Sequence, residues 1–270
     1  MTRKINNIEL VHAINSGGTA IVYWGVDLYT GKAVAVKELR AGLFKNEFVR
    51  QKFIEEANQY LYLDHPNIVK LIDFIITNEN YYLVMEFVEG KNLYDHMTTV
   101  TGPLNMQNVS LLLNEVLSAL EYVHSNGLIH LDIKPSNIML SSDDRIKLID
   151  FGISQNANLN AMEKAMGSPA YMSPEQIVGK NINHQTDIYS IGIAMYELLT
   201  GKLPFENCNT KEELFYAVEN SELPYLKPIH IIDQEFEDQI NSIFKKATNK
   251  NLSNRYQTCE EFQLDIIQFI

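Results

Sequence analysis

His130-Leu131-Asp132-Ile133-Lys134-Pro135-Ser136-Asn137, followed twelve residues later by Ile149-Asp150-Phe151-Gly152 after a β-like run, is the stretch on which the reading of this chain turns. It gathers two carboxylates, a lysine and a carboxamide into one short interval, which is hard to explain as core packing. Just upstream, Val109, Leu112, Leu113, Val116, Leu117, Leu120, Val123 and His124 recur at helical spacing and Gly127 follows as a stop, predicting a helix that leads into the stretch. Downstream the pattern stays mostly helical. Residues 187–199 are apolar on nearly every face, the mark of a buried helix, while Phe262, Ile266 and Phe269 mark an amphipathic helix at the end.

The first third reads differently. Glu9 to Ile14, Ile21 to Val26 and Ala33 to Glu38 are rich in Val, Ile, Tyr and Trp and are punctuated by Gly17-Gly18 and Thr30-Gly31, which predicts three strands. A helix over 47–63, a break at His65-Pro66-Asn67 and two further strands, Val69 to Ile76 and Tyr81 to Phe87, complete a unit of five strands and one helix. Glu86 to Lys91, a strand end running into a glycine, sets the boundary. The domains expected are a β lobe over 1–87 and a mainly helical lobe over 88–270, with a cleft between them.

At 270 residues and 46% hydrophobic content the chain can bury a substantial core. A formal net charge of -12 argues against a general footprint for nucleic acid or an anionic membrane, and favours basic segments as partners. The two cysteines, Cys208 and Cys259, lack metal-ligand spacing and read as reduced thiols. There is no run of 18 or more apolar residues, and the opening MTRKINNIEL lacks the apolar stretch of a secretory signal, so a cytoplasmic protein is expected.

Between the first two strands lies Asn15-Ser16-Gly17-Gly18-Thr19-Ala20-Ile21-Val22, where glycines let backbone N–H groups approach phosphate oxygens closely. Alone it reads first as an ordinary hairpin turn with two glycines. Lys37 follows in Ala35-Val36-Lys37 on the third strand, and Glu56 lies on the helix nine residues ahead of His65. A lysine with a buried alkyl stem needs a carboxylate to hold its ammonium, and such a pair can clamp the α- and β-phosphates of a nucleotide. Glu55, equally acidic, is expected to face out.

With these parts in order, the sequence resembles the eukaryotic-type protein kinase family from about residue 8 to residue 268, with bacterial-like features. The resemblance implies an α+β, bilobal fold: a small five-stranded antiparallel β lobe with one helix, and a larger mainly α-helical lobe. It implies transfer of the γ-phosphoryl group of Mg-ATP to serine or threonine hydroxyls of proteins, with Mn²⁺ as the alternative ion. Asp132 is similar to the aspartate that orients the substrate hydroxyl and accepts its proton, and Lys134 to the lysine that neutralises charge on the moving phosphoryl. Asn137 and Asp150 resemble the metal ligands, hard oxygen donors that suit Mg²⁺. Gly17, Gly18 and the Lys37–Glu56 pair correspond to the phosphate-binding parts. Met85, the Glu86 carbonyl and the Val88 backbone correspond to the hinge beside the adenine, sandwiched by Val22, Ala35 and Met139. Gly167 to Glu175 resembles the end of the activation segment and the substrate-receiving surface. Its Glu175 is expected to pair with Arg255, and Asp187 to anchor the catalytic-loop backbone.

Three positions depart from the family. Asn15 and Ala20 stand where the first and third loop glycines are commonest; Asn tolerates left-handed angles and Ala is small, so the loop can still close. Leu131 replaces the arginine that, in most regulated members, pairs with an activation-loop phosphate. Residues 153–166 contain no threonine or tyrosine, and their only hydroxyl is Ser154. The two absences agree, and predict a kinase independent of activation-loop phosphorylation. Two other readings compete: a pseudokinase that binds nucleotide or partners without chemistry, against which Lys37, Glu56, Asp132, Asn137 and Asp150 are all present, and a small-molecule phosphotransferase, against which Lys134 and the segment Ser168 to Glu175 favour a protein substrate. Tyrosine specificity is disfavoured by Lys134. The bacterial resemblance also suggests a metal-dependent protein phosphatase as opposing partner.

Overall fold

The computed structural model describes the chain apart from residues 1, 2, 41, 44, 79, 151–167, 231 and 232 and the side chains of Glu56 and Gln59. The chain divides into two compact units, Met1–Glu89 and Gly90–Ile270.

The first unit carries β1 (Arg3–Ile5), β2 (Ile8–Ser16), β3 (Ala20–Asp27), β4 (Ala33–Leu39), α1 (Glu47–Tyr60), β5 (Leu71–Ile76) and β6 (Tyr81–Glu86), its strands forming one antiparallel sheet in the order β1-β2-β3-β4-β6-β5. Six strands replace the five expected. The extra one, Arg-Lys-Ile, is too short and too charged to show an alternating pattern; it pairs through Ile5↔Ile8 after a turn in which Asn6 adopts φ 51°, a left-handed angle that Asn tolerates, and Arg3 donates to Glu38 at 2.5 Å. Helix α1 stops at Tyr60 rather than 63.

Register sorts this sheet's residues by face, because residues directly opposed in an antiparallel ladder point the same way. Ile5, Ile8, Leu10, Val34, Val36, Ile75, Tyr82 and Val84 form one buried cluster. The opposite face takes the alternate positions: Val22 opposes Lys37, Trp24 opposes Ala35, and Ala35 opposes Met85.

In the second unit a three-stranded sheet, β7 (Gly90–Asn92), β8 (Ile138–Ser141) and β9 (Ile146–Leu148), accompanies helices α2 (Leu93–His96), α3 (Met106–Ser125), α4 (Pro174–Val178), α5 (Gln185–Thr200), α6 (Lys211–Asn220), α7 (Gln234–Ala247) and α8 (Cys259–Ile266). The Asn105 side chain caps α3 by accepting from the Asn108 N–H. Every residue of α5 from Gln185 to Leu199 is buried, as its all-round apolar pattern predicts. Phe269 lies past the end of α8 in a 3-10 turn, so the last amphipathic stretch is not one continuous helix.

Arg255 and Glu175 form a buried ion pair in this unit. Arg255, 1% exposed, meets Glu175 through two nitrogens at 2.6 and 3.2 Å, while its other donors reach the carbonyls of Gln185 and Asn249, and Thr186 Oγ1 donates to Glu175. The pair joins the start of α4 to the loop before α8. Removing one member strands the other without water, so Arg255→Met is expected to cost about 3–5 kcal/mol, and the Glu175→Leu/Arg255→Met double variant less than the single one. Urea midpoints at unchanged slope check this.

Candidate functional site

The first unit presents Val22, Ala35, Lys37 and Met85 on one sheet face, as their register requires. Lys37 is buried on β4, at 9% exposure. Glu56 is on α1, but its side chain lies outside the described residues, so the Lys37–Glu56 pairing does too. Glu55 takes a salt bridge from Lys52 at 3.0 Å and is part exposed. Glu86 closes β6, with its backbone N–H and its carboxylate both bonded to Lys70, and Val88 follows in the irregular stretch before β7.

Gly17 and Gly18 form the exposed turn between β2 and β3, closed by the Gly17 N–H on the Ala20 carbonyl at 2.9 Å. Sequence reasoning missed Arg40, which reads as a strand-end charge. It braces the turn, its Nε donating to the Gly17 carbonyl at 2.8 Å and an outer nitrogen to Ser16 Oγ at 2.6 Å.

In the second unit Asp187, at the first turn of buried α5, holds the segment before Asp132. Its Oδ1 accepts the Leu131 N–H at 2.8 Å; its Oδ2 accepts the His130 N–H at 2.9 Å and lies 2.8 Å from His124 Nε2. Burial works to raise its pKa, but these donors and the neighbouring histidines outweigh it and hold the carboxyl below its ordinary value. Leu131 adopts φ 65°, a left-handed angle costly for a bulky residue, and is fixed there by Asp187 on its N–H and Gln176 Nε2 on its carbonyl. Burial lowers the His130 pKa and keeps the ring neutral, so Nε2–H donates to the Ile149 carbonyl and Nδ1 accepts the Asp132 N–H.

Asp132 is thereby placed, and its carboxylate is oriented by three donors. Lys134 Nζ reaches Oδ2 at 2.8 Å, Asn137 Nδ2 reaches the same oxygen at 3.0 Å, and the Ser168 N–H reaches Oδ1 at 2.9 Å. Lys134 also donates to Ser168 Oγ at 2.5 Å. Ser168 escaped the sequence reading as a site residue, since only the folded chain brings it to Asp132. Its segment is anchored by Tyr171, whose hydroxyl donates to buried Glu197 at 2.5 Å; burial raises the pKa values of both.

The β8–β9 hairpin brings Asn137 and Asp150 together: Ile138 opposes Leu148, and the Ile149 N–H bonds the Asn137 carbonyl at 3.0 Å. Asn137 spends its amide nitrogen on the carbonyl and carboxylate of Asp132, turning its Oδ1 away. Asp150 is held at φ 60°. Among the described residues no group of three or more His, Cys, Asp or Glu could cage a metal ion. One carboxylate and one amide oxygen fit instead a hard cation that fills its shell with water and phosphate, such as Mg²⁺. Met139 lies on β8, partly buried. Phe151, Gly152, Ser154 and the rest of 151–167 lie outside the described residues.

No described helix is long and apolar enough to cross a membrane. Comparison with known proteins matches the protein kinase domain over residues 8–265. The chain is 35% identical over 262 residues to a probable serine/threonine-protein kinase, PknB, of Lactococcus lactis, covering 96% of this chain and 41% of that protein. It is 35% identical over 262 residues to the serine/threonine-protein kinase PrkC of Bacillus subtilis, covering 96% and 40%. PknB of Mycobacterium tuberculosis is 32% identical over 272 residues, at 96% and 42% coverage. The chain thus spans about two fifths of the length of the curated relatives it matches. An aspartate fixed by lysine, amide and backbone donors, with Asn137 and Asp150 brought near each other by the β8–β9 hairpin, agrees with that match, and the chain belongs to the protein kinase domain family.

Proposed function

We propose that this domain is an active serine/threonine protein kinase that transfers the γ-phosphoryl group of ATP to protein hydroxyls. The observation that carries this reading is the setting of Asp132: acceptor oxygens aimed by three donors, with Lys134 shared between that carboxylate and Ser168. Asp132 takes the proton of the incoming hydroxyl as its oxygen bonds to the γ-phosphorus and the bond to ADP breaks, and Lys134 offsets charge on the transferred group. Asn137 Oδ1 and Asp150 would hold a divalent cation, which would supply charge neutralisation on the phosphates. Lys37 and the Gly17-Gly18 turn serve the phosphates, and Val22, Ala35, Met85, Glu86, Val88 and Met139 the base. The names of the relatives support serine and threonine as acceptors.

We further propose that activity does not depend on phosphorylation of residues 153–166. Leu131 is apolar and 4% exposed, so it offers no cation to a phosphate, and that interval has no threonine or tyrosine.

With γ-labelled ATP, Mg²⁺ and a basic protein substrate, label is expected on serine or threonine; Asp132→Asn should lower kcat about 10²- to 10⁴-fold. Asp150→Asn is expected to abolish Mg²⁺-dependent transfer. Wild-type protein that binds ATP yet transfers no label would defeat the reading. Arg40→Ala, which frees the glycine turn, should raise KM for ATP about three- to tenfold with kcat little changed. Mass spectrometry of active protein should find no stoichiometric phosphate in 153–166, and phosphatase treatment should leave activity intact; a required phosphate there would sink the second proposal.

A further inference from the structure

Cys259 is the buried nucleophile that the proposed chemistry leaves unused. It opens α8, is 0% exposed, and places Sγ 3.5 Å from His124 Nδ1, while the other face of that ring, Nε2, lies 2.8 Å from Asp187. We propose that Cys259 is a positioning residue for the catalytic loop: its S–H donates to Nδ1 of His124, which keeps the ring proton on Nε2 and directed at Asp187, the carboxylate that holds the His130 and Leu131 backbone.

Each link has a physical reason. A thiol in this place stays protonated, because burial and the nearby Asp187 and Glu121 raise its pKa well above the ordinary value. It therefore donates to Nδ1, and an imidazole nitrogen that accepts cannot itself carry the proton. Cys259 is held in position by Glu121, whose Oε2 accepts the Cys259 N–H at 3.0 Å and the Glu260 N–H at 3.4 Å. The neighbouring ring, His184, is 5.6 Å away between centroids and has its Nε2 on the Gln257 carbonyl at 2.7 Å. Asp187 accepts three hydrogen bonds, two of them from the backbone just before Asp132. A ring that turns or moves its proton removes one of the three and places a lone pair against the carboxylate. The strained Leu131 and then Asp132 feel the change, although neither touches Cys259.

The proposal rests on the kinase reading for its effect on rate, but its geometric part does not. In full-length protein labelled with ¹⁵N-histidine, NMR should show His124 with Nε2 protonated and Nδ1 as an unprotonated acceptor. Cys259→Ser, which keeps a donor, should preserve that pattern, and Cys259→Ala should shift the Nδ1 resonance. In phosphoryl transfer, Cys259→Ala should lower kcat about three- to tenfold with KM for ATP unchanged, and Cys259→Ser should recover most of the loss. A protonated Nδ1 in the native protein overturns the proposal, and needs no variant to fold and no activity to be present. So does folded Cys259→Ala with unchanged kcat and unchanged His124 resonances. A native protein with the expected tautomer but no phosphoryl transfer overturns the kinase reading and leaves the relay standing.

Discussion

A carboxylate removed from water has to be surrounded by donors, and Asp187 meets that requirement with the backbone of the segment it serves. Its oxygens accept from His124, His130 and Leu131, so the cost of burying the charge is offset by the same bonds that fix the approach to Asp132. The helix that carries it is buried on all sides, which makes the anchor rigid. Leu131 can occupy a left-handed angle only because Asp187 and Gln176 hold both of its backbone polar groups.

From this fixed point the polar groups of the site are arranged by exclusion. Asn137 gives its nitrogen to Asp132, which leaves an oxygen as its outward group; Lys134 divides its donors between Asp132 and Ser168. The neutral His130 ties the Asp132 amide to the Ile149 carbonyl, one residue before Asp150. The Asp132 carboxylate, the Lys134 ammonium and the Asn137 amide thus share one hydrogen-bonded frame that reaches the residue before Asp150. Replacing any member disturbs the next, the behaviour of a connected network rather than of independent residues.

Leu131 serves this frame through its backbone. Where an arginine would place a charge, the leucine side chain is buried, and the structural demand on this position is met through its backbone alone.

The sequence by itself determined the α+β division and the buried character of α5, and its family resemblance implied the pairings of Glu175 with Arg255 and of Asp187 with the loop backbone, both of which are formed. The first two follow from local periodicity; the pairings rest on motif residues that match those of the family. It did not disclose β1, whose three residues carry too little pattern, nor the end of α8 before Phe269, where a turn tightens without a change in composition. The contacts of Arg40, Ser168, Gln176 and Cys259 were invisible for a different reason. Each acts on a group distant in sequence, across 23, 36, 45 and 135 positions respectively. Such contacts are set by where the sheet and the helices bring the chain back upon itself, a choice made by packing the whole lobe and written in no single stretch of it.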